Sequence, residues 1–357
     1  MIFDFNKIYN DNIEEFKIIN NIIENEGVSL FGSGEFGYRC AKYLIDNNYN
    51  INYFIDSDIN KQGKKIYDIE IIHKNSDLSK NIKVVLISTN KYIDEIIAEN
   101  KSNYNYIIPF DKWFIMKNFN RLVSMHNYFY DERSKEIFDT ILYCKYNGVI
   151  NKLAYIFEKD HYFAINNFLS DSKKQIFVDL GAYVGDTVEK FVENCEGIFD
   201  KIYAFEPGNN QFIAMNSRVN RLIEEWAINK ESIVLEKLGV SDINKEVFFD
   251  VNCDILSNNI TDNETDSKIK VVSLDNYFDV NPITFLKSDI EGEELNMLKG
   301  ASETIKKYKP KMAISIYHKP DDFFTIPEFI KSLVPEYKFY LRHHSITYAE
   351  TVLYCCI

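Results

Sequence analysis

The chain has 357 residues, of which 46% are hydrophobic and 15% aromatic, so its length suits two domains and its composition can fill their cores. Its 54 acidic residues outnumber its 41 basic ones, which gives a formal net charge of −13 without a concentrated basic stripe. Because a phosphate backbone is held mainly by Lys and Arg, this balance argues against nucleic acid as a partner.

Six cysteines are present without a CxxC pair or regular spacing, which argues against a zinc site or a disulfide framework and predicts reduced thiols. The first residues, MIFDFNKIYND, lack the features of a signal peptide, and no run approaches ~18 apolar residues. We therefore expect a cytoplasmic protein without a membrane span. The sequence leaves open whether the chain forms a homo-oligomer.

Residues 1–24 carry apolar side chains at near-helical spacing and predict a helical lead that packs against the next domain. Residues 25–115 predict a small Rossmann-like domain, in which the strand-like run VSLF precedes a GxGxxG turn and a second strand ends in an acidic residue. Strand, glycine turn and helix in this order form a dinucleotide-type fingerprint, and therefore a candidate second nucleotide site. Its residues are Gly32, Gly34, Gly37 and Asp56.

Three interpretations of this first domain stay open. It binds a sugar nucleotide, as similar small Rossmann units do in sugar-modifying enzymes; it binds NAD; or it has kept only the fold, as a scaffold. A lone GxGxxG is too weak a signal to choose among them.

Residues 116–172 predict a helical connector and cap, because apolar residues recur at helical spacing from Phe114 to Leu169. Tyr162 lies just before the next strand, where a cap could close over a pocket. We treat Tyr162 as a candidate substrate-contacting residue, with ordinary core packing as the alternative.

Residues 173–357 predict a second α/β domain, whose first segment, QIFVDLGAYVGDT, predicts a buried strand, a glycine turn and a helix start. Gly181 and Gly185 remove Cβ atoms where the backbone must approach a ligand, and the helix start at Asp186 presents free N–H groups. Asp179 ends the strand, where open α/β sheets bind ligands. The sequence therefore predicts a nucleotide pocket here.

Glu206 forms the second half of this pocket. It follows the next apolar run, IYAF, about twenty residues after the glycines. A carboxylate in that place can accept hydrogen bonds from both ribose hydroxyls of an adenosine. Beyond it, residues 232–240 predict a third strand and residues 258–267 a polar, mobile loop, which is either a solvated excursion or a lid.

Three carboxylates fall within six residues in the segment DIEGEEL, which follows the fourth predicted strand. Asp289 and Glu291 are candidate catalytic residues and Glu294 a candidate substrate-contacting residue. Like charges raise one another's pKa, which either yields a carboxylate able to take a proton near neutral pH or recruits a cation. If all three are metal ligands, oxygen donors at this density suit Mg²⁺ or Ca²⁺ better than zinc.

Histidines follow two of the last strands. His318 ends the fifth predicted strand, and a histidine there can act as a general base because its pKa lies near neutral pH. The final two strands predict an antiparallel edge hairpin that carries Arg342, His343 and His344. We expect at least one of these side chains to face the substrate, with His343 as the candidate.

The segments VDLGAYVGDT, YAFEPG, LKSDIEGEEL, LKGA and YHKPDDF to ETVLY together resemble the FkbM family of class I S-adenosylmethionine-dependent methyltransferases, from about Asp131 to the C-terminus. The resemblance implies a seven-stranded sheet with an antiparallel C-terminal hairpin. The predicted fold class is therefore α/β, with two Rossmann-like doubly wound domains. The resemblance also implies that S-adenosyl-L-methionine is bound by Asp179, Gly181, Ala182, Gly185, Asp186, Thr187, Glu206, Ser241 and Asp242. Residues 240–242 would face the adenine.

The function that this resemblance implies is O-methylation of a sugar, sugar-nucleotide or glycan-linked hydroxyl in bacterial surface polysaccharide biosynthesis, with Mg²⁺ as a candidate cofactor. The substrate hydroxyl would attack the methyl carbon in line, and Asp289 or His318 would take its proton. Two alternatives stay open: a non-catalytic sugar-nucleotide-binding scaffold, and an NAD-dependent sugar-modifying enzyme that uses the first domain.

Overall fold

A computed structural model describes residues 5–165, 168–169, 175–250, 259–261, 268–278 and 281–357. Within these ranges, no helix combines the length and the apolar character that crossing a membrane requires. The helices are α1 (Phe5–Glu26), α2 (Glu35–Asp46), α3 (Ile93–Asn100), α4 (Phe110–Lys117), α5 (Phe119–His126), α6 (Glu132–Asn147), α7 (Asp186–Asn194), α8 (Asn209–Glu225), α9 (Leu274–Phe278), α10 (Glu294–Gly300), α11 (Ser302–Tyr308) and α12 (Asp322–Leu333). The strands are β1 (Val28–Phe31), β2 (Ile51–Asp56), β3 (Lys65–Ile66), β4 (Ile69–His73), β5 (Val84–Ile87), β6 (Tyr106–Pro109), β7 (Ile176–Leu180), β8 (Lys201–Phe205), β9 (Ile233–Glu236), β10 (Gly239–Val240), β11 (Lys245–Asp250), β12 (Asn259–Thr261), β13 (Lys268–Val272), β14 (Phe285–Ser288), β15 (Lys311–Ser315), β16 (Lys338–His343) and β17 (Thr351–Cys356).

The first sheet has six strands in the order β3-β4-β2-β1-β5-β6, and all its pairs except β3 with β4 are parallel. The strand β1 is fully buried, which explains its continuous apolar run, since helices cover both faces of a parallel sheet. Helix α1 buries Ile19 and Ile23, which lie four residues apart and so share one face. The predicted Rossmann-like topology is confirmed.

The second sheet has seven strands in the order β16-β17-β15-β14-β7-β8-β9. The strands from β15 to β9 are parallel, and β17 pairs antiparallel with both β15 and β16. The predicted seven-stranded sheet with an antiparallel C-terminal hairpin is therefore confirmed.

A third, four-stranded sheet, in the order β10-β13-β11-β12, branches off where the sequence predicts one continuous strand. The predicted strand at 232–240 breaks after Glu236, and β10 pairs with β13 instead of extending β9. Gly239 allows this pairing, because a Cβ atom there would lie 2.9 Å from Val271 Cγ1. Of the predicted polar loop at 258–267, Asn259–Thr261 forms strand β12, and the other residues lie outside the described residues.

The predicted helical connector ends earlier than the sequence pattern suggests. Helix α6 stops at Asn147, and Gly148 caps it in the left-handed conformation with a φ of 66°. Between residues 149 and 165 only a single 3₁₀ turn, Leu153–Tyr155, follows. The apolar spacing there reflects burial of Leu153 and Ile156 in an irregular segment, so the prediction of helix for this stretch is wrong.

The two large sheets share one continuous hydrophobic core. Phe114 on α4 stacks on Phe324 of α12 with ring centroids 5.9 Å apart. The guanidinium of Arg121 lies 3.8 Å from the centroid of the Phe324 ring and also pairs with Glu328 at 2.6 Å. These contacts fix the first Rossmann unit against the second.

Gly37 holds helix α2 against strand β1, because a Cβ atom there would lie 2.1 Å from the carbonyl oxygen of Gly32. We expect Gly37→Ala to lower the free energy of unfolding by about 1–3 kcal/mol through overpacking. The matched control is Gly34→Ser, since no atom lies within 4 Å of a Cβ atom at Gly34. Urea unfolding checks this, and equal stability of the two variants would contradict it.

Candidate active site

A cavity of about 880 Å³ lies between the two sheets and is lined by both. From the first unit come Glu35, Phe36 and Arg39 of helix α2, with Asn90 and Lys91 after β5. Strands β1 and β5 flank the point where the strand order of their sheet reverses, as β7 and β14 do in the seven-stranded sheet. Ligands of open α/β sheets bind at such points, so two binding edges face a single space.

The glycine turn after β7 forms one wall of the cavity. Gly181 has a φ of 71°, and a Cβ atom there would lie 1.9 Å from the carbonyl oxygen of Asp289. Gly185, with a φ of 80°, caps the N-terminus of helix α7. Gly181, Asp186 and Thr187 line the cavity. Gly185 does not line the cavity. The predicted cofactor residue Ala182 does not line it either, because its side chain is fully buried.

A buried ion pair holds this turn in place. Lys287 on β14 is the register partner of Asp179 on β7, and its Nζ atom lies 2.9 Å from Asp179 Oδ1. The same ammonium donates to the carbonyl oxygen of Gly181 at 2.8 Å. Burial alone would lower the pKa of Lys287, but the carboxylates of Asp179 and Asp289 outweigh burial and raise it. Asp179 thus supports the turn from behind, since it is not on the cavity wall.

Glu206 lies at the carboxyl end of β8 and lines the cavity. Its carboxylate accepts hydrogen bonds from the backbone N–H groups of Gly208, at 2.7 Å, and Tyr183, at 3.0 Å. Burial raises the pKa of Glu206 to about 7. The backbone therefore fixes this carboxyl group and leaves it lone pairs for a ligand.

The predicted adenine contacts divide between two places. Val240 lines the cavity, together with Leu238 and Gly239. Ser241 and Asp242 do not, and the Ser241 hydroxyl donates to the Asp242 carboxylate at 3.2 Å. Of the predicted adenine contacts, only Val240 therefore lies on the cavity wall.

Asp289, at the end of β14, is held by two tyrosines. Tyr162 donates its hydroxyl to Asp289 Oδ2 at 2.7 Å, and Tyr317 donates to Oδ1 at 3.3 Å. Burial alone would raise the pKa of Asp289, but the positive charges of His318 and Lys287 outweigh burial and lower it. Tyr162 lines the cavity and also belongs to a buried hydrophobic cluster, so its role as a substrate-contacting residue stays a prediction.

His318 is buried among the three carboxylates that the sequence singled out. Its Nδ1 atom lies 3.0 Å from Glu294 Oε1, and its Nε2 atom lies 3.5 Å from one oxygen each of Asp289 and Glu291. Burial alone would lower the pKa of His318, but the three carboxylates outweigh burial and raise it to about 10. An imidazole that already holds its proton at neutral pH does not take another, which argues against His318 as the base.

Glu294 and Glu291 occupy different positions around this imidazole. Glu294 is fully buried in the first turn of α10, does not line the cavity, and accepts a hydrogen bond from the backbone N–H of Ile290 at 2.9 Å. Glu291 lines the cavity with a φ of 55°. Asp289, Glu294 and His318 can offer metal-ligand atoms within 4.8 Å of one another. Within the described residues this group keeps two of the three predicted carboxylates, adds a nitrogen donor and leaves out Glu291.

Glu350 is a site residue that sequence reasoning missed. It lies in the turn before β17, lines the cavity and has a φ of 61°, a conformation that non-glycine residues adopt mainly at constrained, often functional positions. Its carboxylate lies 3.2 Å from His161 Nε2 and accepts the Tyr317 hydroxyl at 3.4 Å. Burial and the negative charge of Asp289 raise the pKa of Glu350 to about 7.

The histidines of the final hairpin point away from the cavity. His343 is fully buried on β16 and shares a hydrogen bond with the Thr351 hydroxyl at 2.9 Å. Arg342 pairs with Asp131 at 2.7 Å, and His344 Nε2 lies 2.9 Å from the Tyr354 hydroxyl. The prediction that one of these side chains faces the substrate is wrong; residues 347–350 of the connecting turn line the cavity instead.

The acidic residue of the first fingerprint is already engaged by its own chain. Asp56 accepts hydrogen bonds from the Ser33 backbone at 3.1 Å and from Lys61 Nζ at 3.0 Å. Burial alone would raise the pKa of Asp56, but these hydrogen bonds outweigh burial and lower it to about 2. None of Gly32, Gly34, Gly37 and Asp56 lines the cavity.

Residues 179–343 match the methyltransferase FkbM domain family. The methyltransferase FkbM of Methylobacillus flagellatus KT is 20% identical, with 98% of each chain covered and a TM-score of 0.60, so the fold is shared across both units. The precorrin-6y C5,15-methyltransferase of Geobacter metallireducens GS-15 is 10% identical over 53% of this chain and 82% of its own, with a TM-score of 0.32. The fibrillarin of Aeropyrum pernix, which holds S-adenosyl-L-methionine, is 11% identical over 52% and 66%, with a TM-score of 0.30. TM-scores of 0.32 and 0.30 support no conclusion about this chain. No curated protein matches the sequence at a significant level.

Removing one partner of the buried Asp179–Lys287 pair leaves an uncompensated buried charge. We expect Lys287→Met to lower the free energy of unfolding by about 3–5 kcal/mol. The control is Lys306→Met, whose pair with Glu303 is exposed to solvent and contributes little. Urea unfolding of both variants checks this, and a loss of stability no larger than the control's would contradict it.

Proposed function

Because residues 179–343 of this chain form a methyltransferase FkbM domain, we propose that the protein transfers a methyl group from S-adenosylmethionine to a hydroxyl group of a sugar-like acceptor. The observation that carries the proposal is the cavity wall where Gly181 and the fixed carboxyl group of Glu206 lie side by side at the carboxyl edge of the seven-stranded sheet. That edge is where an adenosine cofactor binds in open α/β folds.

The residues present fit such a cofactor. The turn from Gly181 to Asp186 would surround the methionine part, Glu206 would accept the ribose hydroxyls, and residues 238–240 would contact the adenine. When bound, the sulfonium supplies an activated methyl group, so the protein needs mainly to align the acceptor and receive a proton. The cavity of about 880 Å³ lies within the range of ligand sites and leaves space beyond the glycine turn for an acceptor.

The acceptor half of the cavity favours a molecule rich in hydroxyl groups. Glu291, Glu350 and the Tyr317 hydroxyl line it, and carboxylates accept hydrogen bonds from several hydroxyls at once. We propose that Glu350, rather than the predicted Asp289 or His318, is the general base that receives the proton of the acceptor hydroxyl. The pKa of Asp289 is lowered and His318 already holds a proton, whereas the pKa of Glu350 is raised to about 7, which suits a general base.

In the proposed step, the acceptor oxygen forms a bond to the methyl carbon and its proton passes to the Glu350 carboxylate. The carbon–sulfur bond breaks, and its electron pair stays on sulfur to give a thioether. The placement in bacterial surface polysaccharide biosynthesis rests on the FkbM resemblance alone.

The first unit serves, in this proposal, as a wall of the acceptor site. Ser33 and Lys61 donate hydrogen bonds to the Asp56 carboxylate, which in an NAD site would bind the ribose. This argues against the NAD-dependent alternative. Glu35, Phe36 and Arg39 instead reach the shared cavity from helix α2.

Titration calorimetry with S-adenosylhomocysteine tests the cofactor site. We expect wild-type protein to bind it and Glu206→Ala to bind about 10- to 100-fold more weakly, because charge-assisted hydrogen bonds to the ribose are lost. Gly34→Val, in the first unit, should bind like wild type. Absence of binding, or binding lost only in Gly34→Val, would contradict the proposal.

Methyl transfer from radiolabelled S-adenosylmethionine to a panel of free sugars and nucleotide sugars tests the base. We expect Glu350→Gln to lower kcat about 10²- to 10⁴-fold without weakening the binding of S-adenosylhomocysteine. Because Glu350 must be deprotonated to act, kcat/KM should fall below its pKa of about 7 and level off above it. Glu303→Gln, an exposed carboxylate on α11, is the control. An unchanged pH profile in Glu350→Gln would remove this role.

A further inference from the structure

Asp289 is a fixed negative charge on the cavity wall. Its carboxylate accepts hydrogen bonds from the hydroxyls of Tyr162 at 2.7 Å and Tyr317 at 3.3 Å, and its side chain is 23% exposed. Burial alone would raise the pKa of Asp289, but the positive charges of His318 and Lys287 outweigh burial and lower it. A carboxylate that stays ionised is a poor base for a hydroxyl proton, so its place on the wall needs another explanation.

The cations beside Asp289 do not balance the carboxylates there. His318 Nδ1 lies 3.0 Å from Glu294 Oε1. The Nε2 atom of the same ring lies 3.5 Å from one oxygen each of Asp289 and Glu291. Lys287, the other cation beside Asp289, already has its ion-pair partner on β7. Within the described residues, three carboxylates therefore share the charge of one imidazolium.

The neighbouring carboxyl groups on this wall are more readily protonated than Asp289. Burial raises the pKa of Glu291, and Arg39, which pairs with Glu35, lies 3.9 Å from it. Burial and the negative charge of Asp289 raise the pKa of Glu350 to about 7. The lasting negative charge on the wall is therefore that of Asp289. Because a buried charge without a full counter-charge is costly, it favours a ligand that brings a positive charge.

Asp289 lies directly beside the glycine turn. Its backbone N–H donates to the carbonyl oxygen of Leu180 at 3.0 Å, and a Cβ atom at Gly181 would lie 1.9 Å from its own carbonyl oxygen. Strand β7, which carries this turn, lies between β8 and β14, which end before Glu206 and Asp289. The sulfur of the proposed cofactor is attached to its ribose. A ribose held at Glu206 therefore places the sulfonium over the glycine turn, between the two carboxyl groups.

We propose that Asp289 is the counter-charge of the cofactor's sulfonium and makes the site select the methyl-bearing cofactor over its thioether product. The inference rests on the proposed function and adds a specificity-determining residue to it. A sulfonium has no N–H or O–H group to donate, so charge alone attracts it. A carboxylate whose oxygens already accept tyrosine hydroxyls can still supply that charge.

The attraction ends with the reaction. Once the methyl group has left, the sulfur is a neutral thioether, and Asp289 no longer holds it. The carboxylate therefore favours binding of the methyl donor and release of the product, S-adenosylhomocysteine, while the transfer step itself depends on alignment and on the base.

The test compares two ligands by titration calorimetry on the full chain, at neutral pH and without an acceptor. We expect wild type to bind S-adenosylmethionine about 10- to 100-fold more tightly than S-adenosylhomocysteine, because the two ligands differ by one methyl group and one positive charge. Asp289→Asn keeps the shape of the side chain and removes its charge. It should bind S-adenosylmethionine about 10- to 100-fold more weakly than wild type does, and S-adenosylhomocysteine about as tightly.

The matched control is Glu293→Gln, which also removes a carboxylate from the cavity wall, one that accepts a hydrogen bond from Asn296 at 2.9 Å. It should keep the wild-type preference. Equal or tighter binding of S-adenosylhomocysteine by wild type, or an unchanged preference in Asp289→Asn, would overturn the inference.

The comparison of the two ligands on wild type needs no substitution, so it carries the test if Asp289→Asn does not fold. The outcomes also separate the two proposals. Equal binding of both ligands by wild type would remove the counter-charge and leave the cofactor site, whereas binding of neither ligand would remove the cofactor site itself.

Discussion

The site depends on the buried ion pair between Asp179 and Lys287, which face each other across the strands β7 and β14. These are the two strands at which the order of the seven-stranded sheet reverses. The ammonium also binds the carbonyl oxygens of Leu180 and Gly181, so a single charge fixes the start of the glycine turn. Because Gly181 touches the backbone of Asp289, the same constraint sets the distance between the glycine turn and the turn that carries Asp289.

A second constraint is the packing of the two Rossmann units onto one core. Phe114 of the first unit and Arg121 of the following helix α5 enclose Phe324 of the second unit, and residues of both units then line one cavity. The glycines of the first unit serve this packing, since Gly37 admits the carbonyl oxygen of Gly32 and Asp56 ties down the turn. These contacts hold helix α2 in place, and its residues Glu35, Phe36 and Arg39 line the cavity.

The sequence predicted those parts of the candidate site that are formed by residues close to one another in the chain. The strand, glycine turn and helix around Gly181, and the carboxylate of Glu206 after the next strand, follow from apolar runs, glycine and chain order. Lys287 could not be foreseen, because a lysine within an apolar strand is explained only by a partner more than one hundred residues away. The roles of His318 and Glu350 depend in the same way on charges that the fold assembles from distant segments.

The errors also have physical causes. His343 lies at the end of β16, where Leu341, Arg342 and His343 are all buried, so period-two alternation does not tell which side meets a ligand. The apolar residues after Gly148 are buried without being helical, which a helical spacing rule cannot distinguish.

The most direct test of this account is a crystal structure of the full chain with S-adenosylhomocysteine. We expect the ligand in the shared cavity, with its ribose hydroxyls bonded to Glu206 and its sulfur directed past Asp289 toward Glu350 and helix α2. A ligand bound at Gly32 to Asp56 of the first unit, or with its ribose away from Glu206, would contradict it.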